Sequence, residues 1–265
     1  MYRLLAIDVD GTMLDSRNRV TERTKAALQS AEKAGACIVV ATARPCASIC
    51  GMISELELKD PYIIAGSGSS VWRLSSGEEL VHRSFTPDEV QECVRFSDKY
   101  AYDCLAVKHD GSFYCSRGSV SARFYGDMFK TPAIPVDYCS TECRECCKVM
   151  LFTEDNPAAA ELCIERLRAE LGRFGFGKTW RNIIELYPSG ISKESALSRA
   201  VEILKVPPAE VMAVGDDRVD MGMLNLAGLG VAMGNGDGDL KAAADFITLS
   251  NDEDGLAYAI EKFIL

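Results

Sequence analysis

The residues best suited to chemistry are acidic and sit close to the start of the chain. Asp8 and Asp10 close the apolar run Leu4-Leu5-Ala6-Ile7 and are followed by Gly11 and Thr12. A short apolar run bounded by a glycine turn reads as a buried strand rather than a helix. On an extended chain, residues two apart leave from the same side, here at the strand's C-terminal end. Carboxylates that close repel, and one holds a proton unless a cation lies between them, so the pair asks for a metal. The competing reading is a strand that ends in an Asx-type turn, since Asp and Gly are ordinary turn residues. An EF-hand loop does not fit, because its glycine belongs at the sixth loop position and Gly11 arrives fourth.

Two further strand-like runs end in polar residues. Cys37-Ile38-Val39-Val40-Ala41 runs into Thr42-Ala43-Arg44-Pro45, and Val211-Met212-Ala213-Val214 runs into Gly215-Asp216-Asp217-Arg218-Val219-Asp220. Ligands of open α/β sheets bind at the carboxyl ends of the strands, so Asp8, Asp10, Thr42, Asp216 and Asp220 are expected along one edge. A buried cluster of four carboxylates requires a hard cation and suits Mg2+. Each residue also has a plainer reading. Thr42 can be a strand-end turn residue, Lys193 a solvated first-turn lysine, Asp217 surface charge and Asp220 a helix N-cap before Met221. His82 and His109 lack metal-ligand spacing and are assigned no role.

The elements that must position these residues follow an alternating pattern. Thr21 caps a helix that reaches Ala34 before Gly35, a helix is expected from about Ala47 to Leu56, and Tyr62–Ala65 reads as a third buried strand. Strand, helix, strand, helix, strand is the signature of a parallel sheet with crossover helices. Gly66-x-Gly68 is no dinucleotide loop, because Val71 holds the sixth position and no helix follows. Val71–Leu74 and Glu79–His82 read as a hairpin, and Thr86-Pro87-Asp88-Glu89 is a capping box that opens a helix to about Tyr100. Strands are expected near 104–108, 148–153, 179 and 183–186, with a helix from Pro157 to about Leu171. From Ser192 the doubly wound pattern resumes, with an apolar helical stripe through Ala196, Leu197, Ala200, Val201 and Leu204. Strands are expected at 211–214, 229–233 and 246–249, and a last helix from about Glu253. The expected organisation is an α/β core with a doubly wound parallel sheet from residues 1–83 and 187–265, interrupted by an α+β domain at 84–186.

Composition narrows the function. The chain has 265 residues, 48% of them apolar, and can bury a sizeable core. Its 39 acidic against 29 basic residues, net −10, argue against a nucleic-acid or anionic-membrane surface. No apolar run approaches the roughly 18 residues of a membrane span, and no signal peptide is evident, so a cytoplasmic protein is expected. Its eleven cysteines are then mostly reduced thiols acting as small hydrophobes. Cys139, Cys143, Cys146 and Cys147 could supply four thiolates to zinc, although only Cys143-x2-Cys146 has knuckle spacing.

Asp8-Val9-Asp10-Gly11-Thr12, Thr42, Lys193 and Gly215-Asp216-x3-Asp220 resemble, in order and spacing, the four motifs of the haloacid dehalogenase-like (HAD) phosphatases. Met13-Leu14-Asp15 after the first motif resembles the Cof-type branch, and the insert looks like a type IIB cap. The resemblance implies a Rossmannoid core and a Mg2+-dependent phosphatase for a small phosphorylated metabolite, a sugar phosphate or similar compound. It further implies that Asp8 is the nucleophile that forms an aspartyl-phosphate and that Asp10 is the general acid and base. Mg2+ would be held by Asp8, the Asp10 carbonyl, Asp216 and Asp220. Thr42 and Lys193 would hold the phosphate, and Arg44 and cap residues would contact substrate. The cap of such an enzyme is expected to close over the site and set specificity. Three positions depart from the family pattern: Ala43 replaces the usual Gly, Val219 the usual Asn, and Ser67-Gly68 a frequent Asn-Gly. Val219 weighs most, because an apolar side chain cannot hydrogen-bond the metal shell or the phosphate. A phosphomutase of the same superfamily, or a degenerate ligand-binding member, are the alternative readings. Oligomeric state is not legible.

Overall fold

The computed structural model describes residues 2–153, 156–179 and 183–265. It divides into two compact units, one of residues 1–44, 49–81 and 192–265 and one of residues 45–48 and 82–191. The first half of unit one contains β1 (Leu4–Asp8), α1 (Glu22–Lys33), β2 (Cys37–Ala41), α2 (Cys46–Glu55), β3 (Tyr62–Ala65), β4 (Ser70–Arg73) and β5 (Glu78–His82). Four residues of these elements belong to the other unit, the first three of α2 and His82. Thr21 caps α1 through its hydroxyl, which accepts from the Thr24 amide.

The second unit follows as α3 (Pro87–Tyr100), β6 (Asp103–Lys108), β7 (Phe113–Ser116), α4 (Val120–Phe129), β8 (Ala133–Val136), β9 (Cys146–Phe152), α5 (Pro157–Glu170), β10 (Gly175–Lys178) and β11 (Ile183–Tyr187). Its sheet runs β10-β11-β9-β6-β7-β8. The Thr86 capping box closes on Glu89 as the sequence predicts. A core of Phe85, Val90, Phe96, Val149, Leu151, Leu167 and Leu186 lies on one face of the sheet. A smaller one of Leu105, Val107, Phe113, Met150 and α4's Tyr125 lies on the other. The segment β7-α4-β8 escapes the sequence reading. Its strands have only four residues each, and α4 carries Gly126 among aromatic residues, so no clean helical period shows.

The chain then returns to unit one with α6 (Lys193–Leu204), β12 (Val211–Gly215), α7 (Met221–Leu226), β13 (Leu229–Ala232), α8 (Gly238–Ala243), β14 (Phe246–Ile247) and α9 (Gly255–Phe263). Helices α7 and α8 have six residues each, too few for a periodic pattern. The expected start of the last helix near Glu253 is instead a short 3-10 turn over Asn251–Glu253, closed by a capping box between Ser250 and Glu253. The sheet order is β14-β13-β12-β1-β2-β3-β4-β5. It is parallel from β14 to β3, and β4 runs antiparallel to β3. Every residue of β1 is buried, as a central parallel strand covered on both faces requires. β1 lies between β2, its first crossover partner, and β12, which arrives after the insert. Its carboxyl end is therefore at the topological switch point, where such sheets bind ligands. Among the described residues, no helix is long and apolar enough to cross a membrane.

The four candidate zinc thiols do not converge. Cys143 and Cys146 belong to one core of the second unit and Cys147 to the other, and Cys147 is the extra residue of a β-bulge against β6, so that Lys148 follows it on the same face. Burial pushes the Cys143 thiol up to about 11 and the Cys147 thiol up to about 12, so both are neutral hydrophobes near pH 7. On the same face as Cys147 a charged pair is enclosed. Lys148 Nζ donates to Glu185 Oε1 at 2.6 Å, and the Tyr187 hydroxyl donates to the other oxygen of Glu185. Burial opposes the charge on Lys148, and Glu185 more than offsets it, so its ammonium is held above the ordinary range. Glu185→Gln removes the charge that balances Lys148 and is expected to destabilise the protein by about 3 kcal/mol or more. The double change Lys148→Met, Glu185→Leu should recover most of that loss in urea denaturation.

Candidate active site

The site starts from backbone geometry. β1 ends at Asp8, and residues Val9–Met13 form a tight turn in which Gly11 has φ +85°. The strand alternation therefore stops before Asp10. Asp8 is only 6% exposed, whereas Asp10 turns out to the surface. The expected cluster of four carboxylates is thus corrected to three: Asp8, Asp216 and Asp220, whose carboxylate oxygens lie within 4.8 Å of one another. Asp10 is held instead by Arg44, whose Nε donates to Asp10 Oδ2 at 2.9 Å while a second guanidinium nitrogen donates to Oδ1. Arg44, expected to face substrate, is thereby engaged by a neighbouring carboxylate.

Lys193 is the cation of the buried cluster. As the first residue of α6 it is 3% exposed, and its Nζ donates to Asp8 Oδ1 and, at 2.7 Å, to Asp220 Oδ1. The solvated-lysine reading fails because the start of α6 is pressed against the turn after β3. A Cβ on Gly68 would stand 2.2 Å from the Ser192 carbonyl oxygen, so glycine is required for that approach. Burial works against the ammonium, but Asp220 and Asp8 together hold it above its ordinary range.

Asp220 is fully enclosed, and its second oxygen accepts from the Asp216 and Asp217 amides, each at 3.1 Å. It thus anchors both Lys193 and the turn that presents Asp216. A Cβ on Gly215 would come 2.5 Å from that of Asp220, so the turn closes this tightly only with glycine. Asp216 Oδ1 accepts from the Thr12 hydroxyl at 2.8 Å. Burial pushes the Asp8 carboxyl well up against the partial offset of Lys193, and pushes Asp216 up to about 6. Three acids facing one lysine leave an excess of negative charge in a small buried volume. A further cation in that volume would favour the ionised forms of both Asp8 and Asp216. A donor set of carboxylate oxygens fits Mg2+ in preference to a softer ion.

Thr42 is fully buried, one residue beyond Ala41, the register partner of Asp8. Its amide donates to the Ile64 carbonyl and its carbonyl accepts from the Ser67 amide, so this threonine is fixed on both sides. Its hydroxyl accepts from the Arg44 amide at 3.1 Å. Asp217 is exposed, and Val219 is 42% exposed in the turn Arg218–Asp220. Two supporting contacts were not read from the sequence. One is the Thr12 bond to Asp216. The other is Asn235, at the end of β13, whose Nδ2 donates to the Gly11 carbonyl at 2.8 Å. Its position at a strand end on the same edge was the available signal.

The chain belongs to the haloacid dehalogenase-like hydrolases: the sequence model of that family matches residues 5–260. It is similar to the 5-amino-6-(5-phospho-D-ribitylamino)uracil phosphatase YcsE of Bacillus subtilis, 32% identical over 99% of this chain and 96% of that one. A haloacid dehalogenase-like hydrolase from Bacteroides thetaiotaomicron superposes with a TM-score of 0.85 at 26% identity, covering 99% of both chains. A subclass IIB sugar phosphatase shares the fold at a TM-score of 0.82 and 22% identity, over 98% of each chain. Within its family the protein is a Cof-type phosphatase, that is, a phosphoric monoester hydrolase.

Gly11→Ala tests the geometry of the turn. Its Cβ would stand 2.3 Å from Asp216 Oδ2 in a backbone conformation that costs an L-residue about 1–2 kcal/mol. The variant should lose phosphatase activity by about a hundredfold or more while still folding, as checked by circular dichroism and steady-state kinetics.

Proposed function

We propose that the protein is a Mg2+-dependent phosphatase that hydrolyses a small phosphorylated metabolite through an aspartyl-phosphate on Asp8. The observation that carries this reading is a buried Asp8 at the end of the central strand, grouped with Asp216 and Asp220 and held by Lys193. Asp8, the Asp10 carbonyl and Asp216 are the proposed metal ligands, with Asp220 contributing through its hold on the turn or through water. When bound, Mg2+ would draw charge from the phosphoryl oxygens.

The Asp8 carboxylate attacks phosphorus, and the bond from phosphorus to the leaving oxygen breaks. Asp10 donates a proton to that oxygen. It then accepts a proton from the water that attacks the phosphoryl-aspartate, and inorganic phosphate leaves with Asp8 restored. Lys193 and Thr42 hold the phosphoryl oxygens. Arg44, paired with Asp10 in the resting arrangement, orients that carboxyl group. A sugar phosphate or similar polyol phosphate is the proposed substrate class, in keeping with the ribitylamino-uracil phosphate and sugar phosphate specificities for which two of the relatives are named.

Release of phosphate from a generic aryl phosphate tests the reading. Activity is expected with Mg2+, with loss in EDTA and a fall of about a thousandfold or more in Asp8→Asn, which retains the shape but not the nucleophile. Full activity of Asp8→Asn would overturn the assignment. For Arg44→Ala the expected outcome is a drop in kcat of about ten- to a hundredfold with little change in KM, since it orients Asp10. A rise in KM at constant kcat would return Arg44 to substrate binding.

A further inference from the structure

Both histidines of the chain meet in the second unit, a convergence the sequence spacing did not suggest. His82 is the last residue of β5, and His109 opens the turn between β6 and β7. Their ring centroids lie 4.3 Å apart at an interplanar angle of 31°. Ser84 Oγ stands 3.0 Å from Nε2 of each ring, so the two nitrogens are aimed at one point. A carboxylate meets one of the two nitrogens: Glu145 Oε2 lies 3.1 Å from His82 Nε2. Glu145 takes a left-handed backbone, φ 61°, and its carbonyl accepts from the His109 amide at 3.1 Å, which ties the two residues together.

We infer that His82, His109 and Glu145 form a second cation site, for a borderline transition ion of the Zn2+ class, with water completing the coordination. In a tetrahedral site with bonds of about 2.0–2.2 Å, neighbouring donors stand about 3.4 Å apart. The 3.1 Å between His82 and Glu145 is close to that edge, and ring nitrogens of the two histidines lie within 4.8 Å. Ligation by all three requires the exposed Glu145 side chain to swing from His82 toward His109. Two imidazoles and one carboxylate form the donor set of open zinc sites, whereas the all-carboxylate cluster of the first unit suits Mg2+. The side chains of His82 and Glu145 are 39% and 61% exposed, so an ion exchanges freely with solvent. Binding replaces the hydrogen bonds of Ser84 to the rings. It cross-links the chain at its entry into the second unit to the β6–β7 turn and to the residue preceding β9.

The test is a Zn2+ titration of the full chain in excess Mg2+, with a chromophoric chelator in competition. Wild type, His109→Gln, Glu145→Gln and Asp216→Asn are compared, and Co2+ absorption reports the donor type. The expected result is one Zn2+ per chain, weakened about tenfold or more in both His109→Gln and Glu145→Gln and retained in Asp216→Asn, with no thiolate-to-cobalt band. Glu145→Gln changes an exposed side chain, so a folding defect in His109→Gln would leave the comparison intact. Unchanged affinity in the folded variants, loss confined to Asp216→Asn, or a thiolate band would each overturn the inference.

Discussion

The structure depends on one buried interaction, the ammonium of Lys193 between Asp8 and Asp220. Carboxylates are costly to enclose, and removal of one partner from such a group leaves a charge whose burial costs about 3–5 kcal/mol. Much of the local backbone serves to make the enclosure possible. Gly68 lets the start of α6 approach the turn after β3, and Gly215 lets the turn after β12 fold onto Asp220. Two amides of that turn then satisfy the second oxygen of Asp220. Asp216 is fixed as a consequence, with Thr12 on its outer oxygen.

Two aspartates of one motif consequently occupy different environments. Asp8 is buried at the end of a central strand beside Lys193, and Asp10 lies outside on Arg44. The tight turn at Gly11 makes the division, since an extended chain would have sent both side chains the same way. Separate environments are how a single protein assigns different roles to identical side chains. A nucleophile benefits from a desolvated and electrostatically fixed position, while a group that exchanges protons with water and leaving group benefits from access.

The second unit solves a different problem. Its sheet carries apolar cores on both faces, yet encloses Glu185 with Lys148 and Tyr187 each donating to one of its oxygens. Cys139 is exposed, but Cys93, Cys104, Cys143, Cys146 and Cys163 fill apolar space on one face and Cys115 and Cys147 on the other. They serve the role of small hydrophobes, and their number reflects packing rather than shared ligation.

The alternation of apolar runs with capped helices was enough, in the sequence alone, to indicate a doubly wound core, an inserted α+β segment and a carboxyl edge with Asp8, Thr42, Asp216 and Asp220. Those features are local: strand length, period and caps are written within a few residues of each other. The short elements β7, α4, β8, α7 and α8 were not legible, because four to ten residues carry too little periodic signal. The directions of side chains were decided only in three dimensions. Asp10 leaves the cluster because of a single left-handed glycine. Lys193 is buried because two distant backbone segments touch at Gly68. Cys146 and Cys147 part company across a sheet, and His82 and His109 meet because the first residue of the second unit's main segment lies against that unit's own β6–β7 turn. Residue type and spacing state which chemistry is available, but which groups share one dielectric and one cation is set by long-range packing.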